Sequence, residues 1–167
     1  TGNNGGDGAV IARWLSEMGL EVGILVFGKG TLSPDAKANL ELCQALDIPL
    51  VRISTSMDIP LAEDLIAASS LLVDALFGTG FRGEPDAATS ELIDMVNSAA
   101  DFIVSVDVPS GLNADTGYCV NAIYADATIA IDSLKLGHIL GLGREVCGIL
   151  HQVYIGIPRH YYSALDT

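Results

Sequence analysis

Residues 1–8 read TGNNGGDG and run straight into AVIARWLSEM, residues 9–18. Four of the first eight residues are glycine, with Asn3, Asn4 and Asp7 between them. A tight turn needs one or two glycines; four, with two amides and an acid, read as a binding loop. Backbone N–H groups entering a helix suit an anion such as a pyrophosphate. The side-chain oxygens of Asn3, Asn4 and Asp7 add what a plain phosphate loop lacks, a grip on a cation, a sugar or an amide. Val10, Ile11, Trp14, Leu15 and Met18 then form one face of a helix that Gly19 stops. In α/β proteins a glycine-rich loop of this kind follows a strand. The reading therefore places a strand upstream of Thr1 and treats the chain as a piece of a longer protein, truncated at its N-terminus.

Strand-like and helix-like segments alternate from there. EVGILVF (21–27) reads as a buried strand. Ser33-Pro34-Asp35 supplies a capping hydroxyl, a proline suited to the first helical position and an acid near the positive end, so a helix is expected to about Leu46. Strands are expected at 50–53, 71–77, 101–108, 127–131 and 150–155, and helices at 60–68 and 86–99. The strands are nearly continuous apolar runs, as required when helices cover both faces of a parallel sheet. This order specifies a single α/β domain over residues 1–167: a doubly wound, mostly parallel, Rossmann-like three-layer αβα sandwich whose first strand is missing.

Bulk properties narrow the function. The 167 residues suffice for one domain with a real core, and 50% of them are apolar. A net charge of −13 argues against a nucleic-acid surface, which needs a basic patch. It leaves room for a small anionic ligand held by backbone N–H groups and one or two local cations. The apolar runs are strand-sized, so no membrane span and no signal peptide are expected. Cys43, Cys119 and Cys147 are widely spaced and contain no CxxC pair, which fits thiols in a reducing, cytoplasmic setting better than zinc ligands or disulfides.

In a doubly wound sheet the loops at the carboxyl ends of the first, fourth and fifth strands meet across a crevice, and ligands bind there. Counting the missing strand as the first, these loops are 1–8, 78–83 and 107–111. The second, Gly78-Thr79-Gly80-Phe81-Arg82-Gly83, has GxGxxG spacing. An ordinary dinucleotide fingerprint would follow the first strand and open a helix directly, and this one does neither, which disfavours a dehydrogenase. Arg82 is either the cation nearest a phosphate or a solvated surface arginine. Asp74 sits inside an apolar strand, where a lone carboxylate must be paired, hydrogen-bonded or metal-bound. With Asn4 and Ser110 expected nearby, a hard-cation site of oxygen ligands is indicated, and its low charge suits a monovalent ion as well as a divalent one. Asp107, at a strand end before Pro109, stands where α/β enzymes place a working carboxylate. Lys135 and His138 either line the same crevice or face water.

Taken together, GNNGGDG (2–8), VDALFGTG (73–80), VDVPSG (106–111) running on to Gly117, Lys135-Leu136-Gly137 and Gly156-Ile157-Pro158 resemble the NAD(P)H-hydrate epimerase family, the YjeF N-terminal domain. The resemblance covers nearly the whole chain. It implies an isomerase that interconverts the R and S hydrates of NADH or NADPH (NADHX, NADPHX), so that a dehydratase acting only on the S form can repair the coenzyme pool. The implied contacts to the dinucleotide are Asn3, Asn4, Gly5, Gly6, Asp7, Gly78, Thr79, Gly80, Phe81, Arg82, Gly83 and Glu84, with Asp107 at the hydrated nicotinamide. The implied ligands of a potassium ion are Asn4, Asp74 and Ser110. A homo-oligomer, and a fused or separate ADP-dependent dehydratase beginning after a linker at GIPRHYYSALDT, are also implied. A non-catalytic nucleotide- or protein-binding module of the same fold is the rival reading. The presence of Asn3, Asn4, Asp74, Asp107 and Ser110 together favours the enzyme.

Overall fold

The computed structural model describes residues 2–28, 30, 32–158 and 160. Thr1 and most of the expected linker after Pro158 lie outside the described residues. The elements are α1 (Asn3–Glu17), β1 (Ile24–Phe27), α2 (Pro34–Ala45), β2 (Leu50–Ile53), α3 (Ile59–Ala67), β3 (Leu72–Asp74), α4 (Ala87–Ala99), β4 (Ile103–Val106), β5 (Ala127–Ile131), α5 (Gly143–Val146) and β6 (Ile149–Val153). All strand pairs are parallel. The ladders form a two-stranded sheet, β1-β2, and a four-stranded sheet, β3-β4-β5-β6.

Local chemistry accounts for the helix starts. Ser33 accepts from the Ala36 N–H and Pro34 opens α2, as the sequence specifies. Asp86 accepts from the Thr89 N–H at 2.8 Å and starts α4. Hydrogen bonding to the Thr89 side chain first, and to its N–H second, holds the exposed Asp86 carboxyl below the usual carboxylate range.

Two boundaries differ from the sequence reading in ways that shape the site. The glycine-rich stretch is not a loop: α1 begins at Asn3, behind an extended Gly2. None of Gly2, Gly5, Gly6 or Gly8 has positive φ. These glycines serve close approach instead. A Cβ on Gly8 would lie 2.7 Å from the Ala75 methyl, and one on Gly6 would lie 3.3 Å from the Ala36 Cα. The strand expected over 71–77 closes at Asp74, because the next N–H groups leave the ladder. Leu76 N–H turns to the Asp74 carboxylate, and Phe77 N–H donates to Ser110 Oγ at 2.9 Å.

A Gly8→Ala substitution separates packing from propensity. In an unobstructed helix it would stabilise by about 1 kcal/mol. Overpacking against Ala75 costs about 1–3 kcal/mol, so the net expectation is a loss. A urea midpoint at or above that of the wild type would show that α1 does not depend on this contact.

One core cluster spans both sheets. Ile53, Ile59, Ala62, Ile66, Ile93 and Ile103 are its buried centre, with Leu25 and Phe27 of β1 and Leu72 of β3 packed on it. A second cluster fixes α1 and α2 on β1 and β2 through Ala9, Leu40, Cys43 and Ile48. A third, around Val108, Leu112, Ala122 and Val146, holds the segment after β4. The remaining sheet face, with Val104, Val106, Ile129 and Val153, borders an open apolar cleft of about 410 Å³ beside α1. No helix among the described residues is long and apolar enough to cross a membrane.

Candidate active site

The three segments singled out in the sequence do converge. Asn4, buried at the first turn of α1, donates its amide N–H to the carbonyls of Phe77 (2.9 Å) and Val106 (3.3 Å). Those carbonyls immediately precede Gly78 and Asp107, so one side chain ties α1 to both strand ends. Gly78 is needed for this: a Cβ there would lie 3.2 Å from Asn4 Cβ and Cγ.

Asp74 and Ser105 are register partners on β3 and β4 and so face the same side. Asp74 is 6% exposed. Its carboxylate accepts from Ser105 Oγ (2.8 Å), Ser110 N (2.8 Å), Ser110 Oγ (2.6 Å) and Leu76 N (3.3 Å). Burial pushes its pKa up, and the bonds from Ser110, Ser105 and Leu76 oppose that push. Ser105 escaped the sequence reading; its only signal is a small polar residue within an apolar strand. The oxygens that could hold a cation are those of Asp74, Ser110 Oγ, the Asn4 amide and the two carbonyls that Asn4 reaches. They are hard donors carrying a single carboxylate charge, which fits a monovalent ion. Among the described residues no three His, Cys, Asp or Glu side chains gather to hold one metal.

Asp107 follows the last residue of β4 and lies in the left-handed region, φ +68°. Aspartate tolerates that conformation better than most residues, at a cost of about 1–3 kcal/mol that its surroundings must cover. Its own N–H donates to the Ile129 carbonyl at 2.8 Å, and three further contacts hold it. The Ile131 N–H donates to Oδ1 at 3.1 Å, and Lys135 Nζ closes on the same oxygen. The His138 ring donates from Nε2 to the Asp107 carbonyl at 2.8 Å. A carbonyl only accepts, and Lys135 N–H donates to His138 Nδ1 at 3.2 Å, so the ring is neutral with its proton on Nε2. No donor among the described residues meets Asp107 Oδ2. Lys135 and His138, left undecided by the sequence, both belong to the crevice. His138 is fully buried, and the Lys135 and Asp107 side chains are 18% and 12% exposed.

Burial lowers the His138 pKa below its ordinary 6.5, and the nearby Lys135 charge adds to the effect. The unfolded ring protonates near 6.5, while the folded ring resists until lower pH. This contribution to stability is therefore complete above 6.5 and is lost as pH falls through the folded value. Between about pH 7.5 and pH 5.5 the wild type is expected to lose more stability than His138→Gln, measured by urea unfolding. Equal losses in the two proteins would show that the ring is not the titrating group.

Asp7 reaches the same crevice from the second turn of α1. Asp7 is exposed, yet partial desolvation raises its pKa and the Asp107 charge adds to it, so the two carboxylates repel each other. Asn3 opens α1 at the exposed rim, with Gly5 and Gly6 in the turn behind it. In the 78–84 segment Phe81 stacks on Phe77, centroids 4.7 Å apart. Thr79, Gly80 and Gly83 are exposed. Arg82 lies at the surface with its side chain 54% exposed. It folds back to donate to the Thr79 and Phe81 carbonyls and pairs with Asp115 at 2.7 Å, while Glu84 accepts from the Tyr118 hydroxyl at 3.3 Å. The far half of this loop is thus tied to the 113–118 turn by exposed contacts that are individually weak.

Asp107 thus has Oδ1 engaged by two donors, while no described donor meets Oδ2. The family model described as YjeF-related protein N-terminus matches residues 1–137. The chain belongs to this family. Among its family relatives, the NAD(P)H-hydrate epimerase of Levilactobacillus brevis is 36% identical over 94% of this chain and 70% of its own length. The NAD(P)H-hydrate epimerase of Pirellula staleyi is 33% identical over 99% and 74%. The bifunctional NAD(P)H-hydrate repair enzyme Nnr of Moorella thermoacetica is 38% identical over 95% of this chain, which spans only 30% of that protein. The crystal structure of yeast ynu0 superposes with a TM-score of 0.75 at 22% identity, over 99% of this chain and 68% of that one. The family fold is the Rossmann-like αβα sandwich expected from the sequence.

Proposed function

We propose that this domain is an NAD(P)H-hydrate epimerase, an isomerase that inverts C6 of the hydrated nicotinamide ring of NADHX or NADPHX. The observation that carries the reading is Asp107: a left-handed strand-end carboxylate, held through Oδ1 and its carbonyl, with no described donor on Oδ2. The names of the relatives support the substrate class.

In the reaction Asp107, as the acid, gives its proton to the C6 hydroxyl. The C6–O bond breaks, water leaves, and the ring nitrogen supplies the electron pair that stabilises C6. Water then adds to the opposite face and releases its proton to solvent, Asp107 takes a proton back from solvent, and C6 is inverted. Asn3, Asn4, Gly5, Gly6 and Asp7, with Gly78 to Glu84, position the dinucleotide. The start of α1 offers its N–H groups to the pyrophosphate. Asn4, Asp74 and Ser110 hold potassium, which supplies fixed positive charge and orders the loops.

The protein works in the cytoplasm as a homo-oligomer, beside or fused to a dehydratase that takes the S hydrate. Its three free cysteines are consistent with a reducing compartment. Burial pushes the Cys147 thiol up to about 11, which leaves it unreactive there.

The test is to supply the R hydrate with a dehydratase that consumes only the S form. With the protein present, the R hydrate is expected to be consumed at a rate proportional to protein concentration. Binding of the hydrate without that acceleration would favour the non-catalytic reading.

A further inference from the structure

Asp107 has two oxygens, and the structure treats them differently. Oδ1 accepts from the Ile131 N–H and from Lys135 Nζ, whereas no described donor meets Oδ2. Lys135 Nζ is itself anchored, donating to the Ile131 carbonyl at 2.7 Å. The Lys135 backbone is fixed as well, because its N–H donates to His138 Nδ1 while the other ring nitrogen holds the Asp107 carbonyl. Lysine, aspartate and histidine thus form a closed loop around the strand end. It is built from residues 28 and 31 positions beyond Asp107 in the chain. The Asp7 and Asp107 charges also repel each other, and the chain carries a net charge of −13. A cation mostly out of water beside Asp107 therefore acts with little screening.

We propose that Lys135 is the positioning residue of the acid–base centre: by engaging Oδ1 together with the Ile131 N–H, it makes Oδ2 the oxygen that exchanges the proton with the substrate hydroxyl. This rests on the epimerase reading. A proton on Oδ1 would face two N–H donors and find no acceptor, so proton traffic is confined to Oδ2. The same contacts fix the carboxyl plane, and misplacement of an acid–base group by about 1 Å costs up to ~10²-fold in rate. The role is exercised through Asp107, so removing Lys135 should change turnover more than substrate affinity.

The experiment compares wild type, Lys135→Met, Lys135→Arg, Asp107→Asn and the double variant in steady-state epimerisation of the R hydrate, with thermal unfolding of each. Lys135→Met is expected to lower kcat by ~10–100-fold with KM within about twofold. Lys135→Arg, which keeps a cationic donor, is expected to recover most of that loss. Added to Asp107→Asn, Lys135→Met is expected to cost nothing further, because it has no carboxylate left to position. Should the Met variant fail to fold, Lys135→Gln takes its place in every comparison. Near-wild-type kcat, a loss confined to KM, or the same fractional loss in both backgrounds overturns the proposal while the epimerase reading stands. A wild-type protein that does not accelerate epimerisation overturns both.

Discussion

Asp107→Asn is expected to lower kcat for epimerisation by ~10²–10⁴-fold while the domain stays folded. The span is that of a single positioned acid–base group, about 3–5 kcal/mol of barrier. Two features make the variant a clean probe. Asparagine tolerates the φ of +68° as well as aspartate does, so the strand end keeps its conformation. Its amide oxygen can still accept from the Ile131 N–H and from Lys135, and the His138 contact is to backbone and is untouched. What is lost is the ability to give and take a proton. The measurement is kcat on the R hydrate with the thermal midpoint as control. Wild-type turnover in a folded variant would remove Asp107 from the chemistry.

Asp74→Ala is expected to destabilise the domain by about 3–5 kcal/mol, enough to unfold much of the population of a marginal protein. The carboxylate accepts four hydrogen bonds in a place that water does not reach, from two serine hydroxyls and two backbone N–H groups. Each buried donor left without a partner costs about 1–3 kcal/mol, with incomplete additivity because three of the four belong to one network. Burial of the charge works the other way and raises the Asp74 pKa, so removing it returns part of the loss. The orphaned donors outnumber that gain. Asp74→Asn, which keeps one acceptor oxygen, should fall between. The loss is read from urea unfolding. The potassium proposal is tested on whatever folds: KM for the hydrate is expected to respond to sodium–potassium exchange in the wild type, and less so in the Asp74 variants. A wild type indifferent to the exchange would leave Asp74 as a structural pin of the 75–77 turn and nothing more.

The site was partly legible in the sequence. The Asp74 carboxylate stood out because an acid inside LLVDALF must find partners, and it does. Asn4 stood out because amides are wasted in a simple turn, and its side chain bridges two strand ends. The glycines of residues 2–8 misled the element boundary. Glycine signals both turns and close approach, and only the neighbouring Ala75 and Ala36 show that approach is the reason here. Arg82 was left open by the sequence, because its surface partner Asp115 lies 33 residues further along the chain.

The sequence by itself determined the longer elements and their order, though not the one-turn α5, because periodicity, helix caps and apolar runs act over a few residues and are decided locally. It also determined which strand ends carry polar residues, and hence which loops meet once the sheet is parallel. It did not determine which oxygen of Asp107 is restrained, or whether Lys135 and His138 face the crevice or water. Those outcomes depend on the short helical turn at Leu136–His138 folding back on β4, across 31 residues of chain. Only the assembled sheet, with β5 between β4 and β6, brings that turn to the Asp107 carboxylate and carbonyl.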